Sequence, residues 1–120
     1  MGPAQGQGNL VREYPERGDF VHLDFDPKAG HEQGGPRFGL VLSPGVYNKA
    51  SGLAIVAPIT SRQKGYPFEA PIPEGERCYG VVLADHTRSI DWRARGVKIV
   101  GQASQALVED VLARYLTLLT

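Results

Sequence analysis

The stretch from Gly30 to Pro44 carries the residues of this chain that are best suited to chemistry. His31 and Glu32 are two candidate bases in a glycine-rich loop, and the permanent cation Arg37 follows Glu32 by five residues. Catalytic side chains are often found on loops that a rigid scaffold holds in place. The pattern therefore predicts proton transfer beside a fixed positive charge. A solvated loop whose arginine pairs with a nearby carboxylate is the alternative interpretation.

Short strands separated by turns are expected to position this loop. Residues 20–26 alternate between two sets, which predicts a strand that ends at Asp26-Pro27 and buries the second set in the core. The first set is Phe20, His22, Asp24 and Asp26, and the second is Val21, Leu23 and Phe25.

Further apolar runs predict buried strands at 39–42, 53–59 and 80–84, with other strands around Ala70 and Ile72 and at 96–100. Residues 47–52 are expected to form a turn, and residues 85–92 a polar strand that leaves the core. Thr60 follows the strand at 53–59, where its hydroxyl could face a cleft or simply end the strand.

The clearest helical pattern begins after Ser104, a favourable N-cap. Apolar residues then recur at helical spacing: Leu107, Val108, Val111, Leu112, Tyr115, Leu116 and Leu119. Six or seven short strands and a terminal helix predict a mainly β, α+β fold, as a strongly curved sheet or partly open barrel. Residues 1–13 are expected to be a flexible tail, and residues 14–120 a single domain.

Composition narrows the class of protein. The 120 residues carry thirteen basic and thirteen acidic side chains, so the net charge is zero and a protein coated with basic charge is excluded. The lone cysteine, Cys78, cannot form an internal disulfide, and no signal peptide or membrane-spanning run is visible, which favours the cytoplasm. The three histidines are far apart in sequence, so neither a metal site nor a cofactor is expected.

Eight sequence blocks occur in the order and spacing of one known protein family. They are RGD (17–19), DFDP (24–27), GHEQ (30–33), Arg37 before LVLSP (40–44), YN (47–48), PIT (58–60), KGYPFE (64–69) and LADHTRSIDWRAR (83–95). On these blocks the chain resembles the MazF/PemK family of toxin endoribonucleases, the mRNA interferases of bacterial type II toxin–antitoxin pairs. The resemblance extends from Tyr14 to about Leu119.

The resemblance implies an SH3-like barrel with a C-terminal helix, assembled as a homodimer with its RNA groove along the interface. It also implies a sequence-specific toxin that cuts single-stranded mRNA without metal, inhibits translation and growth, and is neutralised by a MazE-like antitoxin. The family's catalytic arginine and threonine fall on Arg37 and Thr60, and its acidic loop residue on Glu32. Phe38 replaces the usual proline and His86 a frequent glutamine, so the recognised RNA sequence does not carry over.

The chemistry suits these residues independently. RNA can be cut without metal when its own 2′-hydroxyl attacks the adjacent phosphorus, leaving a 2′,3′-cyclic phosphate and a 5′-hydroxyl. Arg37 could stabilise the charge of the phosphorane, and Thr60 could donate a hydrogen bond to it. Either Glu32 or His31 could accept the 2′ proton. The predicted RNA contacts are His31, Gln33, Lys49, Arg62, Lys64, Tyr66, Phe68, His86, Arg88, Ser89 and Arg93. The aromatic residues Tyr47, Tyr66, Phe68 and Trp92 could stack on unpaired bases, or several of them could belong to the core.

Two other classes remain open at this level. One is a related toxin with the same fold that acts on DNA gyrase by protein contact, which the chain resembles less because that class relies on a C-terminal Trp-Gly-Ile whereas this chain ends Leu118-Leu119-Thr120. The other is a non-catalytic SH3-like binding module. Incubation with single-stranded RNA in a chelator would distinguish all three.

Overall fold

The computed structural model describes residues 12–25 and 35–120. Within them the chain forms seven strands and two α-helices, α1 (Gly45–Ser51) and α2 (Gln105–Leu116). The strands are β1 (Asp19–Phe25), β2 (Gly35–Val41), β3 (Leu53–Thr60), β4 (Glu69–Pro71), β5 (Val81–Leu83), β6 (Arg88–Asp91) and β7 (Lys98–Gln102). A short 3-10 helix, Ala84–His86, joins β5 to β6. The predicted mainly β fold with a C-terminal helix is confirmed. Residues 1–11, which make up most of the predicted tail, lie outside the described part.

Strand β3 is the centre of an antiparallel sheet in the order β4-β5-β3-β2-β1-β7. It pairs with β2, with β5 near its end at Thr60, and with β6 from Leu53 to Val56. Because three strands hydrogen-bond to β3, the residues along it have fixed positions relative to most of the sheet. None of the helices described here is long and apolar enough to cross a membrane.

Two apolar clusters cover the two faces of this sheet. The first core contains Phe20, Leu40, Leu42, Ala57 and Ile59, together with Leu107 and Val111 of α2. The second core contains Val21, Leu23, Val41, Ala54, Val56, Ile90 and Trp92. Since neighbouring residues of a strand point to opposite faces, the strands supply both cores.

Because both faces of the sheet are buried, the prediction that one face of β1 is exposed to solvent is wrong for Phe20. Phe20 was expected on the solvent side, but it is fully buried. Helix α2 packs on that face of the sheet and covers it, which a simple alternation with one polar face does not anticipate. Further along the same face, His22 is only half-buried and Asp24 is exposed.

The turn predicted at residues 47–52 is instead part of helix α1, Gly45–Ser51. Seven residues are too few to show a helical repeat in the sequence. The helix is held by its one large buried side chain: the Asn48 amide donates to the carbonyl oxygens of Pro15 (2.8 Å) and Ser43 (3.0 Å). Tertiary hydrogen bonds therefore stabilise α1.

Helix α2 begins where the sequence predicts. The Ser104 hydroxyl oxygen accepts a hydrogen bond from the backbone N–H of Leu107 at 3.2 Å, which is the expected N-cap contact. Leu107, Val108 and Val111 are buried. Leu119, predicted as part of the apolar stripe, lies beyond the end of the helix and is 63% exposed.

Candidate active site

Arg37 and Thr60 lie on neighbouring strands of the sheet. Gly39 of β2 stands opposite Pro58 of β3, and the same register continues through Leu40 and Val41. Extended by two residues, this register brings Arg37 opposite Thr60. Residues opposite one another in an antiparallel pair have Cβ atoms about 5 Å apart and point to the same face. The assigned pairs end at Gly39 and Pro58, and extending them places the two side chains predicted to bind the phosphorane on one face of neighbouring strands, although they are 23 positions apart in sequence.

That shared face is the one that carries the second core. Arg37 is four residues from Val41 along β2, and Thr60 is four residues from Val56 along β3. Because strand residues an even number of positions apart point to the same face, Arg37 and Thr60 point to the side of the second core. Arg88 of β6 is opposite Val56 and so points to the same side. Arg37 and Thr60 are half-buried, whereas Arg88 is exposed. The face thus continues from apolar core into a polar margin with two arginines and a hydroxyl.

Gly39 allows β2 and β3 to approach closely beside this margin. A Cβ built on Gly39 would stand 2.5 Å from the Cγ1 atom of Val56. A larger residue there would separate the strands that carry Arg37 and Thr60. The glycine before Leu40 is therefore part of what positions the site.

The Thr60 hydroxyl is oriented by the chain that follows it. Its Oγ1 atom accepts a hydrogen bond from the backbone N–H of Arg62 at 3.0 Å. This contact satisfies the alternative interpretation, in which Thr60 ends its strand and starts a turn. It occupies an acceptor position of the oxygen, so the O–H group can still donate to a ligand.

Glu69 organises the loop after Thr60, a role that sequence reasoning missed. Its carboxylate is 4% exposed and accepts hydrogen bonds from the backbone N–H groups of Lys64 (3.0 Å) and Gly65 (2.7 Å). A buried carboxylate that binds two amides fixes the backbone of the loop. The charged ends of Arg62 and Lys64 consequently project from an anchored segment.

Tyr66 and His86 meet at the carboxylate of Asp85, which was not among the predicted site residues. The Tyr66 hydroxyl donates to Asp85 Oδ1 at 3.3 Å, and His86 Nε2 lies 3.7 Å from the same oxygen. Burial, followed by the nearby negative charge of Asp85, raises the pKa of Tyr66. The phenol therefore remains a hydrogen-bond donor at neutral pH.

The predicted aromatic contacts divide into core and surface. Trp92 is 7% exposed and its indole N–H donates to the carbonyl oxygen of Asn48 at 2.9 Å, so this ring belongs to the core. Phe68 is half-buried against the first core. Tyr47 is 41% exposed on α1.

The remaining predicted RNA contacts are spread over the sheet. Ser89 is exposed on β6 but points away from the face of Arg88, because adjacent strand residues alternate. Lys49 and Arg93 lie near the start of β3, where Leu53 pairs with Asp91, whereas Thr60 is at its end. Arg62 and Lys64 follow Thr60 directly. His31, Glu32 and Gln33 belong to the segment between β1 and β2 and lie outside the described residues.

Potential metal ligands are sparse in this part of the protein. Over residues 12–25 and 35–120, no three His, Cys, Asp or Glu side chains are grouped so that they could hold a metal ion. Cys78 is buried, as the sequence predicts, and its burial raises the pKa of the thiol. Such a thiol is chemically inert rather than nucleophilic.

Comparison with known proteins identifies the family. A family described as "PemK-like, MazF-like toxin of type II toxin-antitoxin system" matches residues 16–119. The endoribonuclease toxin MazF of Escherichia coli K12 is 42% identical over 105 residues, covering 88% of this chain and 94% of the relative. The endoribonuclease PemK of Escherichia coli is 37% identical over 110 residues, covering 88% and 82%.

Solved structures agree with the sequence relatives. A crystal structure of MazF from Deinococcus radiodurans superposes with a TM-score of 0.82 at 47% identity, covering 90% of this chain and 98% of the other. The MazF chain of a MazE–MazF crystal structure from the same organism gives a TM-score of 0.79 at 48% identity, covering 88% and 95%. The strand register, the order of the sequence blocks and these matches all lead to one assignment. The chain belongs to the PemK-like, MazF-like toxin family of type II toxin–antitoxin systems.

Proposed function

We propose that this chain is the toxin of a type II toxin–antitoxin pair and an endoribonuclease that cuts single-stranded mRNA at specific sequences, inhibiting translation and growth. The observation that carries the proposal is the β2–β3 register, which points Arg37 and Thr60 to the same face of the sheet. The names of its relatives, endoribonuclease MazF and endoribonuclease PemK, support the same activity.

The proposed reaction uses the RNA itself as nucleophile. The 2′-hydroxyl gives up its proton and attacks the adjacent phosphorus, the bond to the 5′ oxygen breaks, and that oxygen takes up a proton from water, so that a 2′,3′-cyclic phosphate and a 5′-hydroxyl remain. Arg37 donates its two parallel N–H groups to the non-bridging oxygens, where negative charge develops in the phosphorane. Thr60 donates one further hydrogen bond from the neighbouring strand. These two groups supply positive charge and hydrogen bonds without requiring a metal ion.

The proton of the 2′-hydroxyl goes to a group on the loop between β1 and β2. Glu32 matches the acidic position of the family and acts as the base or positions one, while His31 contributes to RNA contact. A carboxylate held within reach of an arginine would have its pKa lowered and would stay ionised at neutral pH. It is therefore always ready to accept the proton, although it is a weaker base than imidazole.

The decisive experiment incubates the purified protein with single-stranded RNA in excess EDTA and analyses the ends of the products. We expect cleavage with 2′,3′-cyclic phosphate and 5′-hydroxyl ends, and none with Arg37→Ala. Dependence on added Mg²⁺ would contradict the metal-free reaction. Absence of cleavage of any RNA would instead favour the gyrase-directed or non-catalytic alternatives.

We further propose a cytoplasmic homodimer that a MazE-like antitoxin neutralises through an acidic, largely disordered segment. The MazE–MazF complexes of Deinococcus radiodurans support such a partner. The exposed charges of Arg62 and Lys64 beside Thr60 suit an acidic ligand as well as RNA. Light scattering at micromolar concentration is expected to give the mass of a dimer, and the antitoxin is expected to compete with RNA. A stable monomer, or antitoxin binding that leaves RNA affinity unchanged, would contradict this assembly.

A further inference from the structure

We propose that Lys49 and Arg93 form a second RNA-binding point, the distal basic pair, which holds backbone phosphates several nucleotides from the cut. This inference rests on the proposed function and extends it, since it assigns a footprint to the substrate. The two residues are far apart in sequence, on helix α1 and after strand β6. The fold places both beside the same end of β3.

Each cation of the pair lies over an aromatic ring. The Nζ atom of Lys49 is 5.5 Å from the centroid of the Tyr14 ring, and the Cζ atom of Arg93 is 4.7 Å from the centroid of the Trp92 ring. Such contacts are attractive and restrict the position of a long side chain. The Trp92 ring is itself fixed by its hydrogen bond to Asn48, the residue before Lys49.

The distal basic pair shares a face of the sheet with the candidate active site. Tyr14 packs against the second core and Trp92 is a member of it. Arg37 and Thr60 point to the same face by strand alternation. Along strand β3, Thr60 is at one end and Leu53, which pairs with Asp91, is at the other. Seven steps of about 3.3 Å give a separation of about 23 Å.

Within the part of the chain that the structure describes, no carboxylate forms an ion pair with either cation of the pair. Arg12 and Arg114, by contrast, form ion pairs with Asp19 and Asp110. Asp91, the acidic residue closest to Arg93 in sequence, accepts a hydrogen bond from the backbone N–H of Ala94 at 3.0 Å. The positive charge of the pair is thus available to an anion.

A single-stranded RNA is the ligand that fits this arrangement. Its phosphates repeat along one direction, and arginine with lysine is the usual combination that binds them. Arg88 lies on the same face, opposite Val56, between the two ends of β3. A track of about 23 Å corresponds to about four nucleotides, the lower end of known single-strand footprints. Contacts of this kind add affinity without adding base preference.

The test compares two RNA substrates that share the mapped cut site, one short and one extended by about six nucleotides on the 5′ or the 3′ side. The variants are Lys49→Gln, Arg93→Gln and their combination. The matched control is Lys98→Gln, since Lys98 is exposed but pairs with His22 and points to the opposite face. Binding is measured by fluorescence anisotropy over a range of salt, using RNA with 2′-deoxyribose at the cut site to prevent cleavage.

We expect extension on one side to raise kcat/KM in the wild-type protein. The double variant should lower the ratio of kcat/KM for the long and the short substrate by about fivefold to tenfold, through KM. It should also reduce the slope of log K against log salt by about 1.4, or 0.7 for each lost phosphate contact. The charge-preserving pair Lys49→Arg and Arg93→Lys should restore both values.

An unchanged slope and ratio in the double variant, or equal losses in Lys98→Gln, would overturn the proposal. The proposal would also be overturned if the double variant bound a poly-glutamate peptide more weakly but bound RNA as well as the wild-type protein does. That result would assign the pair to a protein partner. The salt slope can be measured on any 20-nucleotide single strand, whether or not that strand is cut. A protein that binds RNA through the pair without cleaving it would refute the proposed function while leaving this inference intact.

Discussion

The backbone of Gly80 lies directly against the backbone of Thr60. A Cβ atom built on Gly80 would stand 2.2 Å from the carbonyl oxygen of Thr60, and Gly80 also has a positive φ of 110°. The residue before strand β5 therefore sets the position of the residue that ends β3. Because Thr60 is expected to act with Arg37, the contact between Gly80 and Thr60 helps to position the candidate active site.

We expect Gly80→Ala to displace Thr60 and to lower both stability and RNA cleavage. The positive φ alone costs about 1–2 kcal/mol for a non-glycine residue. Gly75→Ala is the matched control, since Gly75 has a φ of 93° but open space around its Cβ. Urea unfolding and the cleavage rate are measured for both variants. Equal losses of activity would show that the contact with Thr60 has no role in positioning.

Arg37→Ala is expected to abolish cleavage in a folded protein, whereas Thr60→Ala should lower kcat by about 10²–10³. Thr60 supplies one hydrogen bond to the phosphorane, but Arg37 supplies a charge and two hydrogen bonds. Thr60→Ser keeps the hydroxyl and the contact with Arg62, and should retain most of the rate. Single-turnover cleavage with circular dichroism as a folding check decides the point. Wild-type turnover of folded Arg37→Ala would exclude the assigned site.

The pH–rate profile identifies the group that accepts the 2′ proton. With Glu32 as the base, Glu32→Gln loses most of the rate, and His31→Ala leaves the shape of the profile intact. With His31 as the base, activity would fall as pH drops through about 6.5, and His31→Ala would remove that limb. We expect the first result. A 2′-deoxy substrate should resist cleavage in either case, because it has no attacking oxygen.

Asn48→Ala is expected to lower the free energy of unfolding by about 2–4 kcal/mol. The Asn48 side chain is fully buried, accepts a hydrogen bond from the Ser43 hydroxyl at 2.6 Å, and donates to two carbonyl groups. Its removal leaves several buried polar groups without partners. Val46→Ala, on the same helix at an 85% exposed position, is the control and should cost little. A small loss in Asn48→Ala, as measured by urea unfolding, would contradict this structural role.

The sequence alone predicted the elements whose signals are local. The sequence of strand β1 has alternating residues, and that of α2 has an apolar repeat that follows the N-cap residue Ser104. The sequence after β3, which ends at Thr60, contains a turn-forming segment. Charge and spacing also singled out Arg37, the ordered blocks indicated the family, and the resemblance to that family implied the role of Thr60. The signals of these strands and of the helix depend on residues within one turn or one strand of each other, so they can be seen in the linear chain.

The tertiary structure decided what depends on distant contacts. Phe20 is buried because α2 covers its face of the sheet, and Asn48 holds a helix that has too few residues for a recognisable repeat. Trp92 lies in the core because its ring belongs to the second core and its N–H donates to the Asn48 carbonyl, although its sequence context also fits base stacking. The contacts of Glu69 with Gly65 and of Asp85 with Tyr66 form only when the loop that carries Gly65 and Tyr66 folds against them.

The placement of Arg37 and Thr60 depends both on the sequence and on the tertiary structure. Their residue types are a property of the sequence, but their common face follows from the register of β2 against β3. That register is set by close packing, with Gly39 against Val56, and a shift of one residue would turn one of the two side chains to the opposite face. The sequence thus determined which groups could act on a phosphate. The packing of the sheet decided that two of them point to the same side.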